Sequence, residues 1–205
     1  MKHLTWSGIA VASGGALFII VNAVFTPLLP VDVPGPEVMA SSVFFWRLSL
    51  AALTAFLLLV GSPGLLQYQS GRSGRFGMIA FGLAFMGSAL IFAHEWAQVF
   101  FLHPLALVDP EALQAIEDVE GLNLYELEAI IVASTFAIGW IAFSASMLFA
   151  KVFARLGPAL VIGGFFAVPL LAVALGIGGQ VIGTVVLGSG WILLGRELIK
   201  RPRGS

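Results

Sequence analysis

The sequence contains no cysteine, and only 10% of its 205 residues are charged. The absence of cysteine excludes disulfide bonds, thiolate catalysis and metal centres with cysteine ligands. The scarcity of charge is equally informative, because about 25% of the residues of a typical soluble domain are charged. With 59% hydrophobic residues, the chain could not cover a surface that faces water. The composition therefore indicates a protein of the lipid bilayer.

Other missing features narrow the function. The formal net charge is −1, so nothing in the charge balance indicates a nucleic-acid partner. The sequence has no Walker loop, dinucleotide-binding fingerprint, GxSxG elbow or HExxH motif, and these are the short motifs with a recognisable chemical mechanism. The sequence favours a protein without catalytic activity, and it identifies no cofactor.

Long apolar runs predict transmembrane helices. A helix needs roughly 20 apolar residues to cross about 30 Å of hydrocarbon, and in lipid it must satisfy its backbone hydrogen bonds internally. Six runs have about this length: 6–29, 39–60, 76–102, 124–150, 158–175 and 177–194. The sequence therefore predicts one all-α transmembrane domain over residues 1–205, a polytopic bundle of six helices with a glycine-rich turn between the last two.

The basic residues predict the orientation of these helices. Nine of the ten Lys and Arg residues lie in segments that six crossings place on one side: Lys2, Arg72, Arg75, Lys151, Arg155, Arg196, Lys200, Arg201 and Arg203. Most of the acidic residues fall on the other side. Because basic segments remain in the cytoplasm, we expect both termini to be cytoplasmic, in a protein of the cell inner membrane.

The loops and the tryptophans give further expectations. Residues 110–118 follow a capping Asp109 and begin with proline, which predicts a short helix on the outer surface between the third and fourth spans. Residues 61–74, rich in Gly and Ser, read as a flexible inner connector. Trp191 is expected near the inner membrane interface, as in an aromatic belt, and Trp140 in a packing role. Trp46 and Trp96 would adjoin the polar groups described next.

Burying a polar side chain in the membrane costs free energy, so such a residue within a span is expected to have a polar partner or a function. At about 1.5 Å per residue, Arg47, Glu95 and Asn22 all lie roughly 10–12 Å below the outer surface. His94, Glu95 and Gln98 are related by helical i+3 and i+4 spacing. The hypothesis is a ligand-binding cluster between the first three spans, formed by Asn22, Arg47, His94, Glu95 and Gln98, with Arg47 and Glu95 as its central ion pair.

Two alternatives compete with this hypothesis. Arg47 and Glu95 could form a purely structural pair that sets helix register, because buried ion pairs can specify an arrangement while adding little stability. A metal or haem site is disfavoured, since His94 and His103 are nine residues apart and lie on opposite faces of a helix. Zinc needs three or four ligands, which His94, Glu95, Glu126 and Glu128 could supply only by a fortunate geometry. The prediction is no metal ligand and no catalytic residue.

The segment WAQVFFLHPLALVDPEALQAIED, residues 96–118, resembles a region of uncharacterised multi-pass proteins of bacteria, in which a span ending in a WAQ-type motif leads to a PEAL-type helix. Gly139-Trp140 and the apolar run after Gly157-Pro158 are similar to the later helices of those proteins. The resemblance covers about two-thirds of the chain. It implies a bacterial inner-membrane protein with six helices, and it implies no catalytic residue.

Three functions follow as alternatives. The first is binding or transport of a small molecule at the polar cluster. The second is an accessory subunit of a larger membrane complex, such as a respiratory or photosynthetic assembly. The third is a membrane enzyme with a lipid-soluble substrate and a lateral opening beside His94 and Glu95. The expected partners are the lipid bilayer and either other membrane subunits or further copies of the chain.

Overall fold

The computed structural model describes residues 2–30, 32–117 and 124–200, and all regular structure within them is helical. In this part of the chain the α-helices are α1 (Lys2–Ile20), α2 (Gly35–Ala40), α3 (Ser42–Gln69), α4 (Gly74–Ala97), α5 (His103–Val108), α6 (Pro110–Glu117), α7 (Leu124–Ala150) and α8 (Leu156–Ile199). A π-helical segment, Val21–Phe25, and a 3-10 turn, Thr26–Leu28, continue α1, and a second π segment, Gln98–Leu102, continues α4. The charged residues Asp118, Glu120, Arg201 and Arg203 lie outside the described residues.

Five helical stretches are long and apolar enough to cross a membrane: His3–Leu28, Ser42–Gln69, Gly74–Val108, Leu124–Ala150 and Leu156–Ile199. Together they identify the chain as a helical integral membrane protein in contact with the lipid bilayer. The last stretch, α8, has 44 residues. That is about twice the length that one crossing requires.

Helix α8 is folded back on itself at Gly176. This residue has φ 61° and ψ −144°, a conformation open to glycine and unfavourable for residues with a Cβ atom. Its two parts, 156–175 and 177–199, lie antiparallel and very close. A methyl group built on Gly164 would stand 2.5 Å from Cα of Leu187, and one on Gly190 would stand 2.7 Å from the backbone nitrogen of Val161. The hairpin matches the runs 158–175 and 177–194, while a count of six crossings remains a prediction.

The basic segments meet at one end of the bundle. Gly8 in α1 lies against the carbonyl of Gly195 near the end of α8. The Tyr68 and Phe153 rings, with centroids 4.5 Å apart, join the end of α3 to the turn between α7 and α8. The same turn is held to α8 by the backbone N–H of Ala154, which donates to Glu197 Oε2 at 3.0 Å.

Helix α3 extends nine residues beyond the predicted end of the second span, so the expectation of a flexible connector over 61–74 is wrong. Gly61 and Gly64 allow α1 to approach closely, and any Cβ atom at Gly61 would meet Val11. Leu65 and Gln69 are fully buried. The Gln69 side chain donates from Nε2 to Ser146 Oγ on α7 at 3.0 Å. These glycines therefore mark close helix contact, and the turn is limited to residues 70–73.

A short helix, α6, begins at Pro110 as the sequence predicts. Asp109 Oδ1 accepts a hydrogen bond from the Ala112 backbone N–H at 3.0 Å, which is the expected N-terminal cap. Leu113 is only 2% exposed, so α6 is anchored by its apolar side. The location of this helix at the outer membrane surface stays a prediction.

The interior is built around two tryptophans. Trp140 on α7 and Trp191 on α8 are both fully buried, and their ring centroids are 5.4 Å apart in an edge-to-face arrangement. The packing role predicted for Trp140 agrees with this. The aromatic-belt role expected for Trp191 is wrong, because Gly15 and Gly188 bring α1 so close to α8 that the ring is covered. Its depth near the inner interface stays a prediction.

Removing the hydroxyl of Ser88 is expected to destabilise the fold. Trp140 Nε1–H donates to Ser88 Oγ at 3.0 Å in a fully buried contact between α7 and α4. Ser88→Ala leaves this donor unsatisfied, which we expect to cost about 1–3 kcal/mol of unfolding free energy, measured by unfolding with SDS in mixed micelles. Thr135→Ala, which removes an exposed hydroxyl from α7, is the control, and equal losses in the two variants would contradict the argument.

Candidate functional site

Arg47 lies in the second turn of α3 and is tied to the irregular end of the first helix. Its Nε–H donates to Thr26 Oγ1 at 3.1 Å. The Thr26 hydroxyl in turn donates to the carbonyl oxygen of Val21 at 3.3 Å. The guanidinium is thus held by the first residue of the 3-10 turn Thr26–Leu28, which in turn contacts the π segment through Val21. Thr26 is a partner that the sequence did not predict.

Both π segments carry a predicted site residue. Asn22 is the second residue of Val21–Phe25, and Gln98 is the first of Gln98–Leu102. Asn22 is buried and donates from Nδ2 to the Phe18 carbonyl oxygen at 2.9 Å. Single π turns within α-helices are frequent at functional sites, because the additional residue re-aims the side chains of that turn.

A cavity of about 400 Å³ lies beside the first of these segments, Val21–Phe25. Its polar lining residues are Asn22, Arg47, Thr54 and Glu95, from the first helix, α3 and α4. The remaining wall is apolar and is made mainly by Phe18, Ala51, Leu58, Ile91, Phe136, Phe165 and Leu187. The structure therefore brings Asn22, Arg47 and Glu95 together in the lining of a mainly apolar chamber.

Glu95 has a carboxylate oxygen without a partner. Its Oε2 is buried and accepts no hydrogen bond from any described residue. Arg47 lines the same cavity, yet the side chains of Arg47 and Glu95, both among the described residues, do not form an ion pair with each other. The predicted central ion pair is therefore corrected: the Arg47 side chain is drawn to Thr26, and the two charges face a shared space.

His94 does not join this group. Its Nδ1–H donates to Glu128 Oε2 on α7 at 2.7 Å, and its ring stacks on Tyr125 with centroids 5.8 Å apart. Neighbouring residues on a helix point about 100° apart, so Glu95 faces the cavity while His94 faces α7. Gln98 is buried but lies outside the cavity lining. The predicted convergence of five residues thus holds for three of them.

The cavity has walls that the sequence did not predict. Ala133 on α7 and Pro169 on the first part of α8 line it and are also exposed. The chamber therefore reaches the protein surface between these helices and is not confined to the first three spans. Alanine and proline in an apolar run carry no sequence signal for such an opening.

Comparisons with protein-family models, curated proteins and solved structures found no match. The resemblance of residues 96–118 to bacterial multi-pass proteins thus gains no support from them. The site has to be interpreted from its own chemistry.

The two tryptophans expected beside the polar cluster lie elsewhere or at the surface. Trp96 lines a separate apolar groove of about 360 Å³ with Phe45, Phe56 and Phe92, between α3 and α4, and does not wall the polar cavity. Trp46 is 56% exposed. Within the described residues, no three His, Asp or Glu side chains form a group that could hold a metal ion.

Proposed function

We propose that the protein crosses the membrane six times with both termini in the cytoplasm, and that its cavity binds a small amphipathic molecule. The hairpin at Gly176 supports the sixth crossing, because each part of α8 is long enough for one span. The contacts that bring the basic segments to one end support the orientation, since positively charged segments remain cytoplasmic.

The observation that carries the binding proposal is the unpartnered Glu95 oxygen in a cavity that also receives Arg47. Buried polar groups in proteins nearly always have a hydrogen-bond partner, and an ionisable residue at membrane depth is expected to be paired or functional. A ligand that donates a hydrogen bond to Glu95 and accepts one from Arg47 would satisfy both residues.

The shape of the cavity indicates the class of ligand. Its volume of about 400 Å³ lies within the range of small-molecule sites, about 300–1,000 Å³. The polar group of the ligand would lie at Arg47 and Glu95, and its apolar body against Phe136 and Phe165. The opening at Ala133 and Pro169 would admit it from the bilayer, so the ligand is lipid-soluble rather than an ion.

The test is purification in a mild detergent followed by native mass spectrometry. We expect the wild-type protein to retain a small molecule, and Glu95→Gln to reduce the retained fraction at least about ten-fold, because a charge-assisted hydrogen bond is lost. Glu128→Gln is the matched control. It removes a carboxylate that pairs with His94 and does not line the cavity, so it should leave retention unchanged.

The same experiment separates the alternatives. Recovery with stoichiometric partner subunits and an empty cavity would contradict the binding proposal and favour an accessory subunit. Equal loss of the ligand in Glu95→Gln and Glu128→Gln would also contradict it. An enzyme with a lipid-soluble substrate would return a chemically altered ligand, with Glu95 as the acid–base group in the cavity lining.

A further inference from the structure

A second, strongly polar pocket lies at the end of the bundle where the basic segments meet. It has a volume of about 510 Å³ and is lined by Gln67, Tyr68, Ser70, Arg72, Lys151 and Val152. Arg72 comes from the turn between α3 and α4, and Lys151 from the turn after α7. None of the lining residues is acidic, so no carboxylate in the lining neutralises the positive charges of Arg72 and Lys151.

The two turns are held side by side by buried contacts beneath the pocket. The Gln69–Ser146 hydrogen bond joins α3 to α7, and the Tyr68 ring packs on Phe153. The backbone N–H of Arg72 donates to the Gln69 carbonyl oxygen at 3.1 Å, which fixes the turn that carries the guanidinium. The proximity of Arg72 and Lys151 is therefore built into the fold.

Lys151 occupies a backbone position that favours glycine. Its φ is 52°, and among the residues that the structure describes it is the non-glycine residue with a positive φ. Its N–H donates to the Met147 carbonyl oxygen at 3.1 Å, as at the left-handed position that ends many helices, where glycine is usual. A lysine is conformationally costly there. Such strain is often found where the side chain has a function.

We propose that this pocket binds a phosphate group, with Arg72 and Lys151 as its ligands, and that the phosphate belongs to an anionic lipid headgroup. Arginine and lysine are the side chains that pair with phosphate oxygens, and basic pockets at the cytoplasmic ends of transmembrane helices bind anionic headgroups. This site is independent of the cavity beside Arg47 and of whatever that cavity holds.

Exposed aromatic residues on α4 and α7, next to the turns that carry the two cations, favour a lipid over a soluble phosphate. Phe76, four residues after Arg72, and Phe149, two residues before Lys151, are 48% and 75% exposed on the flanks of α4 and α7. Their ring centroids are 6.2 Å apart. A phospholipid could thus place its phosphate between the cations and its acyl chains against these rings, whereas inorganic phosphate would use the cations alone.

The test uses the full chain in detergent and native mass spectrometry with two probes, dioleoylphosphatidylglycerol and inorganic phosphate. We expect the wild type to bind one phosphatidylglycerol, and Lys151→Gly and Arg72→Gln each to weaken this binding at least about ten-fold. Lys151→Gly relieves the backbone strain, so its thermal stability in detergent should be equal to or above that of the wild type. Loss of binding in that variant would therefore not reflect misfolding.

Arg75→Gln is the matched control, because Arg75 is an exposed cation of the same region that does not line the pocket. It should bind phosphatidylglycerol like the wild type. Equal weakening in Arg75→Gln would show attraction to general surface charge and overturn the proposal, as would unchanged binding in both pocket variants. Binding of inorganic phosphate, lost in the same two variants, without lipid binding would keep the phosphate site and overturn the lipid assignment.

Discussion

Replacement of Arg47 by methionine is expected to lower the unfolding free energy by about 3 kcal/mol, the scale of leaving a buried charge uncompensated. The change removes the hydrogen bond to Thr26 and withdraws the cation from the cavity that holds the buried Glu95 oxygen. Methionine preserves the length and the apolar stem of the arginine side chain. The measurement is SDS-induced unfolding in mixed micelles, with Arg75→Met as a control at an exposed position.

The double variant Arg47→Met/Glu95→Gln decides whether the two charges interact. If they do, neutralising Glu95 should restore the part of the stability that Arg47→Met loses through the uncompensated charge, while the loss of the hydrogen bond to Thr26 remains. Purely additive losses from the two substitutions would show that Arg47 and Glu95 act independently. That outcome would contradict a shared electrostatic site across the cavity.

Gly87→Ala is expected to have the second large effect, although it adds a single methyl group. A Cβ atom at Gly87 would lie 2.5 Å from Cα and 2.7 Å from the backbone nitrogen of Phe136. Backbone atoms cannot move aside like a flexible side chain, so α4 and α7 would have to separate. We expect a loss of about 1–3 kcal/mol, the usual cost of overpacking, in the same unfolding assay.

Gly82→Ala is the matched control on the same helix. No atom of the described residues, beyond the immediate helix backbone, lies within 4 Å of a Cβ atom at Gly82. Alanine is a better helix former than glycine by about 1 kcal/mol, so this variant should be as stable as the wild type or more so. Similar losses at Gly82 and Gly87 would contradict the close α4–α7 contact.

The cavity gives a reason to prefer a ligand site to a purely structural pair. A pair that only sets helix register needs direct contact between Arg47 and Glu95. Close contact between membrane helices is normally achieved by small residues, which leave no cavity between the helices. Here the two residues border a chamber of about 400 Å³. Arg47 is committed through Nε to Thr26, while a Glu95 oxygen remains without a donor.

Much of the helical organisation could be predicted because it depends on local sequence. Runs of apolar residues must be helical in lipid, since water cannot satisfy their backbone groups there, and Asp109-Pro110 marks the start of α6. The end of α3 could not be predicted in this way. Gly61 and Gly64 look like loop residues, and only their contact with α1 shows that they allow close approach of helices.

For the site, the sequence located the costly polar residues but not their partners. Membrane depth is a one-dimensional property, so Asn22, Arg47 and Glu95 could be placed at one level by counting residues. Which direction each side chain faces depends on helix rotation and on neighbours from distant parts of the chain. For that reason His94 pairs with Glu128 and Arg47 with Thr26, neither of which followed from spacing.

The sequence by itself determined that this is a helical membrane protein, because hydrophobicity and charge act through the solvent and need no knowledge of contacts. It also located the segments that carry positive charge and predicted the depth of the polar residues in the membrane. The tertiary structure alone decided which of those residues share a cavity, where the cavity opens and which two cations form the basic pocket. These properties depend on helix rotation and close approach, which arise from side chains that are distant along the chain and meet only in the folded bundle.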